Sequence, residues 1–220
     1  MNLSEFIKSV DMKFVNMANQ SFKEQSSGPS LYFHQKCIKL ALSKNSKEFL
    51  SKEHVESIYA VLPAWGMHRM GRDVMAKVPD FKIFSRSILK HRGLFLRLRD
   101  KKITDNNLEC VLKKDILKIF KELQGSISEA KLVANSKVLT HILPRLVAPI
   151  DRAHTLKFFG QFGFSKSIPS MLDRQGEQFV DLTLEMASIA KHVKKIGYKH
   201  PDLPKVTDNL IIYYVVSKGL

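Results

Sequence analysis

Between Met171 and Ile196 the apolar residues Leu172, Phe179, Leu182, Met186, Ile189 and Val193 recur at helical intervals, and the pattern stops at Gly197. Such spacing lays one apolar stripe along a long helix, which must bury that stripe against other elements. The same period governs nearly every other apolar run. In "LYFHQKCIKLALS", Leu31, Cys37, Ile38, Ala41 and Leu42 share a face, and in "SKEHVESIYAVLPAW" Ser51 is a cap ahead of Val55, Ile58 and Leu62. "PDFKIFSRSILKH" opens on Pro79 and Asp80, both suited to a first turn. "TDNNLECVLKKDILKIFKELQG" runs from a Thr104 or Asp105 cap to Gly125, and "SISE" is a capping box of Ser126 with Glu129.

Strand signals are scarce. "NLIIYYVV" near the C-terminus has strand-like composition, but Thr207 and Asp208 before it favour a helix start, and a lone strand has no partner. The expected fold class is all-α: a compact multi-helix protein with a helix-hairpin-helix-like turn at about 127–143 and two lobes around a cleft. "KEQSSGPS", residues 23–30, reads as a linker, so an N-terminal arm over 1–30 is expected ahead of a helical body over 31–220.

With 220 residues and 44% hydrophobic content the chain can bury a sizeable core. Charge narrows the function. Lys+Arg number 36 against 21 Asp+Glu, a formal +15, and such a field draws polyanions, with nucleic acid the commonest. The plainer account is a solvated basic surface. Cys37 and Cys110 are isolated, which argues against a disulfide framework or a zinc site and fits a reducing interior. No apolar run approaches the ~18 residues that span a membrane, and "MNLSEFIKSVDMKF" lacks a signal-peptide core. A cytoplasmic protein is expected, associated with the nucleoid if the cell is prokaryotic.

The segment "LVANSKVLTHILPRLVAPIDRAHTLKFF", residues 132–159, holds the candidate chemistry. After the capping box a short helix is predicted over 127–134. Asn135 can adopt a left-handed turn conformation, and Ser136 can cap a second helix over 137–143 that ends at Pro144. Lys137 then stands at a helix start, where exposed backbone N–H groups bind phosphate. Beyond Pro149 and Ile150, Asp151 can cap the next helix, "RAHTLKFFGQF".

At these residues the chain resembles the helix-hairpin-helix DNA glycosylase superfamily. "VANSKV" occupies the place of that family's Gly-hydrophobic-Gly-x-Lys hairpin, and "APIDRAH" is similar to its aspartate segment. The resemblance implies that Lys137 is the amine nucleophile that attacks the sugar C1′ and that Asp151 activates the attack or stabilises charge on the sugar. Val133 and Asn135 stand in place of the hairpin glycines, and Lys137 is closer to Asp151 than is usual in the family. Without the resemblance, Lys137 is a solvated lysine and Asp151 a helix cap.

Two further stretches could hold nucleic acid. "PAWGMHRMGRD", residues 63–73, offers Trp65 to stack a flipped base and His68 or Arg69 to contact a base or phosphate; a core tryptophan beside a helix end is the alternative. "KHRGLFLRLRDKK", residues 90–102, interleaves Arg92, Arg97 and Arg99 with apolar residues, as a phosphate-tracking face or a solvated one. Asn135, Ser136 and Arg152 complete the candidate nucleic-acid contacts around the turn. His141, His154, His192 and His200 form no metal pattern, and no P-loop, dinucleotide fingerprint or GxSxG is present, so no cofactor or metal is expected. The expectation is a DNA-binding protein that removes an altered base through Lys137 and Asp151. The competing reading is a non-catalytic basic helical module that binds nucleic acid, and a helical protein with a protein partner is a third.

Overall fold

A computed structural model describes residues 2–25, 27–67 and 78–220, and every regular element among them is a helix. Side-chain caps set several of the starts. Helix α1 (Leu3–Ser9) opens on a capping box in which the Asn2 side chain accepts the Glu5 N–H while Glu5 takes the Asn2 N–H. Helix α2 (Met12–Gln25) follows Asp11, whose carboxylate accepts the Phe14 N–H at 2.7 Å. Helix α3 (Gly28–Leu42) carries Pro29 in its first turn. Helix α4 (Lys52–Leu62) is capped by Ser51 and widens into a π-type turn over Pro63–Met67.

Helix α5 (Phe81–Leu89) is capped by Asp80, and α6 (Arg92–Leu98) follows directly. Helix α7 (Leu108–Val111) passes through a π-type turn, Leu112–Ile116, into α8 (Leu117–Glu122). It begins after the expected Thr104 or Asp105 cap because the Asp105 carboxylate is occupied by the Lys102 N–H. Then come α9 (Lys131–Ile142), α10 (Thr155–Gly160), α11 (Leu172–Lys195) and α12 (Leu203–Ser217). The "NLIIYYVV" segment lies within α12. That helix starts ahead of Thr207, because the Asp202 side chain accepts the Lys205 N–H and Pro204 fits the first turn.

Helix α9 is central, touching α3, α4, α8 and α11, while α12 packs on α2, α10 and α11. Phe120 of α8 stacks on Phe179 of α11 with ring centroids 4.8 Å apart. Residues 1–30, expected as a separate arm, contribute Phe6, Val10, Val15 and Ala18 to the shared core. Phe6 meets Phe158 and Tyr214 edge-on, each at 4.9 Å. No helix among the described residues is long and apolar enough to cross a membrane.

One expectation fails at the centre of the molecule. The two short helices predicted over 127–134 and 137–143, with a tight turn at Asn135, are a single unbroken helix, α9. Tertiary partners override the local turn signals. The Asn135 amide donates to the Phe120 and Leu123 carbonyls and accepts the Gly125 N–H at 3.1 Å, so it closes the end of α8 from inside α9. Ser136 Oγ donates to the Val133 carbonyl and accepts the Ile150 N–H at 3.0 Å. The real turn is the α8–α9 connection, which hugs α9 so closely that a Cβ at Gly125 would lie 2.7 Å from the Asn135 side chain. Ser126 does not cap a helix; its hydroxyl accepts the Ser128 N–H within that connection.

Candidate active site

Lys137 projects from the middle of α9 and is 8% exposed. Its ammonium donates to the Trp65 carbonyl at 2.8 Å and lies 5.9 Å from the Trp65 ring centroid. Trp65 belongs to the π-type turn after α4, so this bond ties the end of α4 to α9. Asp151 belongs to the loop before α10. One carboxylate oxygen accepts the His154 N–H at 2.6 Å, and the other lies 3.1 Å from His154 Nδ1. Asp151 thus shapes the turn into α10, although the helix itself begins only at Thr155.

Lys137, Asp151 and Trp65 line one small cleft of about 170 Å³, together with Phe22, Pro149, Lys205, Asp208 and Ile212. Lys205 and Asp208 come from the first turns of α12 and form an ion pair at 2.6 Å, with side chains 7% and 5% exposed. The Lys205 ammonium also lies 4.1 Å from the Phe22 ring centroid and 5.6 Å from that of Trp65. Two lysines and two aspartates therefore face one pocket with aromatic walls. A buried ion pair of this kind contributes little net stability compared with apolar packing, so stability alone gives a weak reason to keep it.

The electrostatics follow from burial. Desolvation lowers the Lys137 pKa from 10.5, the carboxylates of Asp151 and then Asp208 partly offset this, and Lys205 adds to the lowering. Burial alone would raise the Asp151 carboxyl, but its hydrogen bonds and charge contact with His154, helped by Lys137, hold it below its usual value. The same contact raises His154. Burial raises Asp208 in spite of Lys205. Lys137 lies inside α9 and not at the helix start expected from the sequence, and burial does the lowering.

Two of three linked buried histidines pack against Trp65, whose ring lies edge-on to His141 at 4.7 Å and tilted on His34 at 5.2 Å, and His54 joins them through the His141 carbonyl. Backbone partners fix their tautomers. His54 Nδ1 accepts the Leu50 N–H, so its Nε2–H donates to the His141 carbonyl at 3.1 Å. His141 Nδ1 faces the Lys137 carbonyl at 2.7 Å and must donate. Its Nε2 then accepts from His34 Nδ1 at 3.1 Å. All three are neutral at pH 7, because burial lowers His34 to about 2, His141 to about 3 and His54 to about 4.

The other sequence candidates scatter. Asn135 and Ser136 are completely buried and serve backbone groups, so neither can touch a phosphate. His68 and Arg69 lie outside the described residues. Arg99 is spent on the carbonyls of Ala41 and Ser43 and covers the Phe49 ring, while Arg92 donates to the Leu50 carbonyl at 2.8 Å. These two brace the α3–α4 loop. Arg97 and Arg152 are exposed, with no hydrogen bond or ion pair recorded among the described residues. Lys205 was not singled out in the sequence, and Asp208 was read only as a helix-start signal. Their signal was a Lys–Asp pair three apart at the head of a strongly apolar helix, where a charged pair on one face has to be buried or to line a cavity. Compared with protein-family models, curated proteins and solved structures, the chain matches none.

Proposed function

We propose that this protein binds DNA and removes an altered base, with Lys137 as amine nucleophile and Asp151 as its electrostatic partner. The observation that carries the reading is the meeting of Lys137, Asp151 and Trp65 in one cleft, although they come from α9, the loop before α10 and the turn after α4. A lysine attacks only as the free amine, and desolvation with a second ammonium nearby is one of the known ways to favour it. The Lys137 nitrogen lone pair would form a bond to C1′ as the glycosidic bond breaks. The bonding pair leaves with the base, which takes up a proton, and the proton lost from Lys137 passes to Asp151 or solvent. Ionised Asp151, held by His154, would stabilise the positive charge that develops on the sugar. The formal charge of +15 supplies sequence-independent attraction to phosphates.

The cleft is smaller than the ~300–1,000 Å³ of typical ligand pockets, so a flipped nucleotide would need it to widen. Lys137 donating to the Trp65 carbonyl favours a second reading, in which Lys137 pins that turn and the protein binds nucleic acid without chemistry. Base release from a panel of duplexes carrying altered bases separates the two. Catalysis predicts release by the wild type, loss in Lys137→Gln and retained DNA affinity, since one charge among many is a small part of binding. No release from any duplex, with salt-sensitive binding intact, would leave the binding module.

A further inference from the structure

Positive charge also gathers around a second cavity, away from the Lys137 cleft. A pocket of about 480 Å³ lies between the loop after α6, the loop after α9 and the turn joining α11 to α12. Lys102, Arg145, Lys194 and Lys199 line it together with the His200 ring, whose Nδ1 accepts the Asp202 N–H, and no acidic side chain among the described residues does. Asp100 meets Arg145 at 3.5 Å but is 91% exposed, and Asp105 is occupied by the Lys102 backbone N–H. Like charges gathered around a concave surface repel one another, and an anion relieves that repulsion. The rest of the lining is mainly apolar and aromatic, with Ile103, Tyr198, Pro201 and Leu203.

The geometry of this pocket is built rather than incidental. Helix α11 ends in a Schellman turn: Tyr198 N–H bonds the Val193 carbonyl, Gly197 N–H bonds the Lys194 carbonyl, and Gly197 has φ +93°. That turn swings Tyr198 to Pro201 over the cavity. The Tyr198 hydroxyl accepts from the Asn19 amide at 3.2 Å, which anchors the ring from α2. The rings of Tyr198 and His200, both in the lining, are nearly parallel, 20° apart in plane with centroids separated by 6.4 Å. The Ile103 N–H bonds the Arg145 carbonyl at 2.8 Å, which locks the two basic loops together.

We infer that this pocket binds a nucleotide, its phosphate held by Lys102, Arg145, Lys194 and Lys199 and its base laid on the Tyr198–His200 wall. The combination selects the class: an inorganic anion leaves the aromatic wall unused, and an apolar molecule leaves the cations unpaired. The volume falls within the ~300–1,000 Å³ range of small-molecule sites. A free mononucleotide and the phosphorylated end of a DNA strand offer the same chemistry. Leu203 lines this pocket while Lys205 and Asp208 of the same helix line the Lys137 cleft, so the two sites flank the start of α12. The inference does not depend on any chemistry at Lys137.

Calorimetric titration at low salt with deoxyadenosine 5′-monophosphate, deoxyadenosine and inorganic phosphate tests it. The nucleotide should bind the wild type more tightly than either part alone. The exposed double substitution Lys194→Ala/Lys199→Ala should weaken it about tenfold or more, as loss of charged hydrogen bonds implies, with the melting temperature unchanged. Lys137→Gln should leave nucleotide affinity as it was, which separates this site from the proposed active site. A 5′-phosphorylated single-stranded hexamer that competes identifies a strand end as the ligand, and one that does not identifies the free nucleotide. No heat with the nucleotide, equal affinity in the double variant, or a loss in Lys137→Gln as large as in the double variant would overturn the inference.

Discussion

Helices α9 and α11 pack against each other but solve burial in opposite ways. Helix α11 buries an apolar stripe, Phe179, Leu182, Met186, Ile189 and Val193, and turns its charges outward; its fully buried polar side chains are Gln175 and Thr183. Helix α9 buries Asn135, Ser136, Lys137, Thr140 and His141 alongside its apolar residues. In α11 hydrophobic burial specifies the helix. In α9, Asn135, Ser136 and Lys137 serve backbone groups of other segments and Lys137 reaches a cleft, whereas His141 bonds a carbonyl of its own helix and the His34 ring, and the Thr140 hydroxyl has no partner among the described residues. A helix held through such side chains depends on partners in its neighbours, because a buried polar group that loses its partner is costly.

Near-isosteric apolar replacements break that comparison most sharply. Asn135→Leu should cost about 3–5 kcal/mol, because the Gly125 N–H and two α8 carbonyls lose their partner in a buried place. Thr183→Val in α11 should cost less than about 1 kcal/mol, since the Thr183 hydroxyl bonds only the Phe179 carbonyl of its own helix. Urea unfolding of both variants decides, and similar losses would mean that α9 is not the special case.

Acid provides the next largest effect. His34, His54 and His141 have folded pKa values of about 2, 4 and 3, below the unfolded 6.5, so between about pH 4 and 6.5 the unfolded chain binds three more protons at these groups. Asp202, raised to about 7 by burial, works the other way, and Asp208 is raised as well. The three histidines outweigh these two carboxyls, so stability is lost as pH falls through this window. Denaturant curves at pH 7, 6 and 5 measure the slope. Stability that is flat or rises on acidification would contradict the buried neutral histidines.

The contrast also explains what could be read from the sequence. The period of Leu172 to Val193 placed α11 directly, and Ser51, Asp80 and Gly197 marked helix ends where the structure has them. Asn135, Ser136 and the "SISE" box carried equally good local signals for a turn, yet α9 runs through Asn135 because its amide is claimed by α8. Local turn chemistry cannot reveal a partner fifteen residues away. Lys137 and Asp151 stood out in the sequence, whereas Lys205 and Asp208 became visible only once α12 was folded against α2 and α9's cleft. The three histidines were unreadable as a group, since they come from α3, α4 and α9.

Asp151→Asn should give the smallest structural effect with a clear functional one. Asn accepts the His154 N–H about as well as Asp, so stability should change by less than about 1 kcal/mol. Base release should slow roughly 10²-fold if the carboxylate acts on the reacting sugar. Unchanged turnover would confine Asp151 to shaping the turn into α10.

Borohydride trapping on a duplex with an abasic site addresses the central claim, that Lys137 is the reactive amine. The exposed sugar aldehyde condenses with a free amine, and reduction fixes the link for peptide mapping. Lys205 in the same cleft is the natural internal comparison, because it is paired to Asp208 at 2.6 Å whereas Lys137 meets only a neutral carbonyl, that of Trp65. The account predicts an adduct on Lys137 that disappears in Lys137→Gln. An adduct on Lys205 or on surface lysines, or full trapping in Lys137→Gln, would contradict it.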